Sequence, residues 1–415
     1  MNIEKPELKI IAERQKLVAE IPATIDILLR LAAPDAVNDN KRPRLNLSLV
    51  IDRSGSMQGR KIIEAREAAK YCIDQLLPAD RISAVIFDSD IDILIPSQPV
   101  ENKELLKRAI NSVQTSGSTN LHGAWNSGTN EVARHLNNEA INRVLLITDG
   151  QANVGETRSD RLADHSRRAA LDGVSTSTIG IGRDFSEDLL LSMAETGQGN
   201  AWHVQEPDDM RRIFETELRG LVNQFAHSVK MTITTADGVT VEDILNDFQS
   251  LPDQSYDLPN LRSGSPLEIV VRLKLPALPI GTSELARFEI SYTNQQTTLR
   301  DSVNAVLAAE FASPEEVAEL PANSDVAEVV QLLMNARARQ EMIGHMDAGN
   351  FDRAYTTLKS VLADTDVMFS LAPSPRLEDD LVEFDLLSES IKSRDEDIDT
   401  RKKLAYQREQ RRKSK

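Results

Sequence analysis

The spacing of apolar and polar positions changes along the chain. From Arg44 to Val222, short apolar runs such as LNLSLVI, RISAVIF and VLLIT alternate with segments whose apolar residues recur at helical spacing. Apolar runs bounded by turn residues predict buried parallel strands. Their alternation with helices predicts a doubly wound, mostly parallel sheet covered by helices on both faces. We therefore expect an α/β domain over residues 44–223.

On both sides of this region, apolar and polar residues alternate as is typical of β-strands. Ile25, Ile27, Leu29 and Leu31 alternate with polar residues, and LEIVVRL begins at Leu267. This pattern predicts strands in residues 1–43 and again in residues 224–312. We expect the two flanks to form one β-sandwich with the α/β domain inserted into it. The alternative is that the flanks do not meet.

The last hundred residues are predicted to be helical. Residues 313–371 are predicted to form an α-helical hairpin around a turn at Asp347–Asn350. Residues 372–415 are predicted to form an amphipathic helix with a basic tail. The tail, Arg401–Lys415, contains eight Lys and Arg residues against one Glu. Such a charge run predicts a solvated, disordered tail. Docking on an acidic partner, or on the acidic body of the same chain, is the alternative.

The length, net charge and cysteine content of the chain exclude several classes of protein. The chain has 415 residues and a net charge of −17, so we expect several domains and no binding along a nucleic-acid backbone. Its one cysteine, Cys72, excludes an internal disulfide and is expected to be a buried structural thiol. The segment MNIEKPELKI lacks the hydrophobic core of a signal peptide, and no apolar run approaches the ~20 residues of a membrane span. A cytoplasmic location is therefore expected.

Side chains with oxygen atoms follow the predicted strands of the α/β region. Asp52, Ser54 and Ser56 come directly after the first apolar run. Thr119 lies in a later Gly/Ser loop, and Asp149 follows VLLIT. Ligands of open α/β sheets bind beyond the carboxyl ends of the strands, and hard cations such as Mg²⁺ prefer oxygen ligands. The pattern therefore predicts a cation site.

These residues resemble the metal-ion-dependent adhesion site of von Willebrand factor type A domains. In that family the motif DxSxS is followed by a Thr in a later loop and by an Asp at the end of a core strand. This sequence has DRSGS, GSTNL and ITDG in that order, and STIGIG fits the strand that follows. The resemblance covers residues 44–222 and implies a Rossmann-like fold.

The resemblance also implies roles for the five residues. Ser54, Ser56 and Thr119 would donate oxygen atoms to Mg²⁺, or to Mn²⁺ or Ca²⁺, while Asp52 and Asp149 would orient the hydroxyls and bound waters. Few direct carboxylate ligands would leave the cation incompletely neutralised. An Asp or Glu carboxylate of a protein partner would then complete the coordination.

The whole layout is similar to bacterial von Willebrand A proteins labelled Ca-activated chloride channel homologues and to inter-α-trypsin inhibitor heavy chains. The resemblance implies a non-enzymatic, metal-dependent binding module that acts as an adaptor. Intracellular relatives work beside AAA+ ATPases of the MoxR type or beside kinases and phosphatases, which makes these the implied partners. The alternative is a scaffold that acts through the sandwich and the C-terminal helices, with the metal only stabilising the α/β domain.

Three enzymatic interpretations fit the sequence less well. The haloacid dehalogenase motif DxDx[TV] would need an acid where Ser54 stands. Ser54, Asp149 and His203 follow the chain order of an α/β-hydrolase triad, but the G-x-S-x-G elbow is missing. The segment Gly55–Lys61 resembles a phosphate-binding loop without its spacing.

Some nearby residues have simpler explanations. Thr119 stands close to a predicted helix start and could instead be its N-cap. Asp88 is expected to be a turn residue at the end of the second strand, and His122 to lie at the rim or at a helix start. Trp125 and Trp202 are expected to pack in the core or at the sheet edge.

Overall fold

The computed structural model describes residues 5–35, 42–150, 154–183, 185–392 and 398–413. They fall into two compact units: one contains the described residues of 1–37, 224–294 and 299–415, and the other those of 38–223 together with 295–298. Of the predicted segments, residues 38–41 before the α/β domain and residues 393–397 and 414–415 of the C-terminal region lie outside the described residues.

The α/β unit consists of alternating strands and helices. The strands that precede it are β1 (Glu7–Ala12), β2 (Lys16–Val18) and β3 (Ala23–Ala32). Its own elements are β4 (Arg44–Asp52), α1 (Arg60–Gln75), β5 (Arg81–Phe87), β6 (Ile91–Pro99), α2 (Lys103–Asn111), α3 (Leu121–Ala133), β7 (Ala140–Thr148), α4 (Ser159–Leu171), β8 (Ser175–Ile181), α5 (Glu187–Thr196), β9 (Ala201–Val204) and α6 (Met210–Val222).

One six-stranded sheet organises this unit, with the order β6-β5-β4-β7-β8-β9. All neighbours are parallel except β5 and β6, which form an antiparallel edge hairpin. Leu47, Leu49 and Ile51 face the core that contains α1 and α6. On the opposite face α3 comes so close that a Cβ at Gly128 would lie 2.4 Å from Val50 Cγ2. Helices thus cover both faces, and the predicted doubly wound fold is confirmed.

The chain order reverses at β4. The chain first moves from β4 to β5 on one side and later continues through β7, β8 and β9 on the other. The crevice beyond the carboxyl ends of β4 and β7 is therefore the topological switch point, where open α/β sheets bind ligands. Asp52 ends β4, and Asp149 directly follows β7.

The other unit begins with a β-sandwich and ends with helices. Its later elements are β10 (Gln224–Thr235), β11 (Thr240–Ile244), β12 (Tyr256–Leu258), β13 (Leu261–Arg262), β14 (Leu267–Leu275), β15 (Gly281–Asn294), β16 (Arg300–Ala312), α7 (Pro314–Ala318), α8 (Ser324–Asp347), α9 (Phe351–Leu371), α10 (Pro375–Lys392) and α11 (Ile398–Arg412).

The two flanks of the sequence meet in this sandwich. One sheet has the order β1-β3-β14-β11, and the other has the order β12-β10-β15-β16-β2 with β13 paired to β10. Ile27 and Val271 of the first sheet share a core with Phe288 and Ile290 of the second. Alternate residues of β3 point the other way, so Leu28 packs against α8. The predicted association of the N-terminal and later strands is thus observed.

The predicted disordered tail is wrong. Residues Ile398–Arg412 form α11, which packs on α8 and buries Leu404 and Tyr406. The tail is ordered because its basic residues form ion pairs with acidic residues of the same chain. Arg401 pairs with Asp347, and Arg411 pairs with Asp380. Docking on the chain's own acidic body, the alternative interpretation, is what the structure shows.

In the described part of the chain, no helix has both the length and the apolar composition needed to cross a membrane. Cys72 is fully buried on α1, and burial raises the pKa of its thiol to about 12. It packs as a small apolar residue in the core between the sheet and α1. The expectation of a buried structural thiol is therefore met.

Candidate metal centre at the end of the central strands

The loop after β4 is held in place by backbone hydrogen bonds. The N–H of Gly55 donates to Gly117 O at 3.2 Å, and the N–H of Ser116 donates to Arg53 O at 2.7 Å. These bonds tie the DRSGS loop to the Gly/Ser loop that carries Thr119. Hydroxyl groups from different parts of the sequence are thereby fixed at one edge of the sheet.

Three hydrogen bonds link four of the five predicted residues in one continuous chain. Ser56 Oγ donates to Asp149 Oδ1 at 2.7 Å and lies 3.1 Å from Ser54 Oγ. Asp52 Oδ1 accepts a bond of 2.7 Å from the backbone N–H of Ser54. The first loop therefore connects the end of β4 to the residue that follows β7.

Thr119 lies at the same place. A Cβ atom at Gly150 would lie 2.9 Å from Thr119 Oγ1 and 3.4 Å from Asp52 Oδ2. Both oxygens therefore border the backbone directly after Asp149. The helix cap is the neighbouring Asn120, whose side chain accepts from the N–H of Gly123. The N-cap alternative for Thr119 is thus wrong.

Asp52 is a fully buried carboxylate. It has 0% exposure, and its Oδ2 accepts a bond of 2.5 Å from Thr148 Oγ1. Burial raises the pKa of Asp52 to about 6, although hydrogen bonds from Thr148 and Ser54 act in the opposite direction. Within the described residues, no cationic side chain forms an ion pair with it. A cation close to Asp52 would relieve this cost of burial.

Asp149 is also fully buried, but it has a cationic neighbour. Lys61 Nζ lies 2.5 Å from Asp149 Oδ2, while Asp149 Oδ1 accepts from Ser56. Sequence reasoning missed Lys61, Thr148 and Gly150 as parts of the site. The signals were present, because Thr148 and Gly150 flank Asp149, and Lys61 ends the segment Gly55–Lys61 that resembles a phosphate-binding loop.

The donor set suits a hard divalent cation. It offers three hydroxyl oxygens and two carboxylates, with no sulfur or imidazole among the five residues. Among the described residues, no three His, Cys, Asp or Glu side chains cluster so as to hold a metal ion.

The hydrolase interpretation is not supported by the geometry. Ser54 Oγ contacts Ser56 Oγ, and Asp149 contacts Ser56 and Lys61. His203 Nε2 lies 3.0 Å from Gly182 O, and its ring packs edge-on against Phe185. In the described part of the chain no hydrogen bond joins Ser54 to a histidine, so a nucleophile–base pair is not formed.

Asp88 and His122 have structural partners. Asp88 accepts from the N–H of Asp90, as a turn residue does, and also pairs with Arg53 at 3.0 Å. His122 Nε2 lies 2.9 Å from His165 Nδ1, and burial lowers its pKa. Asp88 therefore links the turn after β5 to the DRSGS loop, and His122 links α3 to α4.

The two tryptophans pack as expected. Trp125 is buried in α3 and donates its N–H to Thr176 Oγ1 at 3.0 Å. Trp202 in the edge strand β9 donates to Glu217 Oε2 at 2.9 Å. Each ring fills apolar space while its polar atom is satisfied.

Comparisons with known proteins agree with this architecture. The model of the von Willebrand factor type A domain family matches residues 46–216. An uncharacterized protein of Synechocystis is 28% identical over 217 residues, which is 52% of this chain and 51% of that protein. Inter-alpha-trypsin inhibitor heavy chain H3 of Bos taurus is 26% identical over 233 residues, 54% of this chain and 25% of that protein. The chain therefore spans about half of the length of the first relative and a quarter of the length of the second.

Two solved structures share the fold over nearly the whole chain. A von Willebrand factor type A protein from Catenulispora acidiphila has a TM-score of 0.71 at 17% identity and covers 92% of this chain and 90% of its own. The ArnB paralog VWA2 from Sulfolobus acidocaldarius has a TM-score of 0.63 at 16% identity, covering 99% and 98%. The two structures share the fold of this chain. The family-model match shows that the chain contains a von Willebrand factor type A domain over residues 46–216.

Proposed function

We propose that this protein is a metal-dependent protein-binding module. A divalent cation held by Asp52, Ser54, Ser56, Thr119 and Asp149 would recognise an Asp or Glu carboxylate of a partner. The observation that carries the proposal is the meeting of these five side chains at the switch point of the sheet. Three of them are neutral oxygen donors, so a coordination position can be left for an oxygen atom of an outside ligand.

Mg²⁺ is the first candidate ion, with Mn²⁺ and Ca²⁺ as alternatives. Mg²⁺ favours octahedral oxygen coordination and keeps some of its waters, so a site with few direct carboxylates suits it. Asp52 and Asp149 would hold the hydroxyls and waters in place. Asp52 accepts from the backbone N–H of Ser54, and Asp149 accepts from the hydroxyl of Ser56. A partner carboxylate would replace one of the waters.

The proposed setting is an assembly in the cytoplasm in which this chain is an adaptor without enzymatic activity of its own. Partners of the classes implied by the sequence resemblance are a MoxR-type AAA+ ATPase or a kinase or phosphatase system. Nucleic acid is not a proposed partner, because the net charge of −17 opposes binding to a phosphate backbone.

Calorimetric titration of Mg²⁺ into metal-stripped protein tests the metal site. We expect wild type to bind and Thr119→Val to bind at least about tenfold more weakly, since a ligand and its supports contribute tenfold or more to affinity. Asn120→Ala is the matched control, because it removes the adjacent helix cap and costs about 1 kcal/mol of stability. Its affinity for Mg²⁺ should equal that of wild type. Equal affinities in all three proteins would contradict the proposal.

The second candidate function is a scaffold that acts through the C-terminal helices. It is favoured by large apolar side chains that α9 and α10 expose: Val367 at 59%, Leu371 at 76%, Val382 at 56% and Leu386 at 60%. The double variant Val382→Glu/Leu386→Glu separates the two candidates. A scaffold would lose its partner in this variant and keep it in Thr119→Val, whereas the metal-bridged module would show the reverse.

A further inference from the structure

Lys61 stands between the helical layer and the candidate metal centre. It belongs to the first turn of α1, and its side chain is 24% exposed. The aliphatic part passes over the end of β8, where a Cβ at Gly182 would lie 3.4 Å from Lys61 Cε. Gly182 has φ +72°, a backbone conformation that favours glycine.

The ammonium group of Lys61 contacts one oxygen of a predicted metal-site carboxylate. Its Nζ lies 2.5 Å from Asp149 Oδ2, and the other oxygen of Asp149 accepts from Ser56. Asp149 therefore connects a predicted hydroxyl ligand to a fixed positive charge. A cation at the hydroxyls would share this carboxylate with Lys61.

Other cations near the loop are directed to different acids. Arg60, the neighbour of Lys61 on α1, pairs with Asp208. Arg53, inside the DRSGS motif, pairs with Asp88 and Asp92. In the described part of the chain, Lys61 is the cationic side chain paired with a predicted metal-site residue.

Counting formal charges shows what this pairing does. The two carboxylates carry two negative charges and a divalent ion carries two positive ones, so without Lys61 the loaded site would be neutral. With Lys61 it keeps one positive charge, which one partner carboxylate neutralises. Because the site is largely buried, this charge is weakly screened.

We propose that Lys61 tunes the site for a carboxylate ligand, by weakening the binding of the bare cation and leaving the loaded site positive. The inference rests on the proposed function and names the residue that makes an acidic partner necessary for tight metal binding. Lys61 acts through Asp149 and is a positioning and charge-setting residue.

The test uses Mn²⁺ as the metal and acetate as the carboxylate, with the full chain. The relaxation rate of water protons reports both Mn²⁺ binding and the loss of an Mn²⁺-bound water when acetate enters. We expect Lys61→Met to bind Mn²⁺ about tenfold more tightly and acetate about tenfold more weakly, from the loss of one nearby charge. Lys61→Arg should behave as wild type.

Lys70→Met is the matched control. Lys70 lies on the same helix, is 22% exposed and pairs with Glu67, so its loss removes the same charge away from the site. We expect wild-type constants for Mn²⁺ and acetate. Circular dichroism checks folding, and Lys61→Gln serves as the second variant if Lys61→Met does not fold.

The outcomes separate the inference from the proposed function. If wild type binds Mn²⁺ and Lys61→Met has the same two constants, the inference is wrong and the metal site stands. If Lys61→Met folds but loses Mn²⁺ binding, Lys61 holds Asp149 in place instead, which also overturns the inference. If wild type itself does not bind Mn²⁺ or Mg²⁺, the proposed function fails first.

Discussion

Two buried carboxylates have pKa values that are shifted in opposite directions: Asp52 in the α/β unit and Asp380 in the helical region. Both are 0% exposed. Burial raises the pKa of Asp52 to about 6. Burial acts in the same direction on Asp380, but its ion pairs with Arg339 and Arg411 outweigh burial and lower its pKa. The helical region thus carries the cations that its buried acid needs.

The difference is between a buried acid that has cationic partners within the fold and one that has hydrogen bonds alone. Asp380 joins α10 to Arg339 of α8 and Arg411 of α11, and Asn335 adds a hydrogen bond of 2.8 Å. Asp52 has hydrogen bonds from Ser54 and Thr148 but no ion pair within the described residues. A buried acid at a strand end that lacks a cation is a physical reason to expect one from solution.

Removing Asp380 should have the largest effect on stability. Asp380→Ala leaves Arg339, which is 0% exposed, without one of its carboxylate partners, and we expect a loss of about 3–5 kcal/mol. Urea unfolding followed by circular dichroism measures it. Asp379→Ala, an exposed acid on the same helix, should change stability by less than about 0.5 kcal/mol. Equal losses of stability in the two variants would show that the buried ion pairs of Asp380 contribute no more than an exposed acid does.

Neutralising Asp52 should stabilise the metal-free protein at neutral pH. The pKa of Asp52 is about 6 in the folded state and 3.8 in the unfolded state. Between these values the folded state binds more protons than the unfolded state, so the free energy of unfolding falls as the pH rises. At pH 7 the ionised group costs up to about 3 kcal/mol. Asp52→Asn should therefore be more stable than wild type by up to that amount at pH 7, and the difference should vanish below about pH 3, where the carboxyl is protonated in both states.

Thermal unfolding in chelator across this pH range measures the difference, and fluorescence of Trp125 and Trp202 follows the α/β unit. In Mg²⁺ at pH 7, wild type should be the more stable of the two proteins, because metal binding stabilises wild type and not Asp52→Asn. If both proteins show the same pH slope, Asp52 is not the group that titrates in this window.

The smallest effect is expected for the exposed ion pair of α11. Arg401 contacts both oxygens of Asp347, at 2.6 and 2.9 Å, but Asp347 is 46% exposed. Arg401→Ala should cost less than about 1 kcal/mol, and the cost should shrink at high salt. Urea titrations at low and high NaCl measure it. A cost as large as that of Asp380→Ala would show that exposure does not decide which ion pairs matter here.

Local patterns predicted many elements of the α/β domain closely. The strand Arg81–Phe87 has the bounds of the apolar run RISAVIF. The residues of the predicted metal site follow the same logic, since strand ends of one parallel sheet meet at one edge. Their assignment as metal ligands remains a prediction until metal binding is measured.

Long-range partners were harder to predict. The basic run after Arg401 indicates a solvated tail, but its acids, Asp347 and Asp380, lie tens of residues earlier in the chain. The short strand β2 has little apolar signal of its own and is held by pairing with β16. Lys61 is an ordinary helix residue until the fold places Asp149 beside it.

By itself, the sequence determined the doubly wound domain, its insertion between strand-rich flanks and the order of the oxygen-bearing residues at the strand ends. These features depend on period and on local turn chemistry, which neighbouring residues carry. Only the tertiary structure decided which charges meet: Lys61 with Asp149, Arg411 with Asp380, and no described cation with Asp52. Electrostatic energies depend on distance in space and on burial, and neither can be read from spacing along the chain.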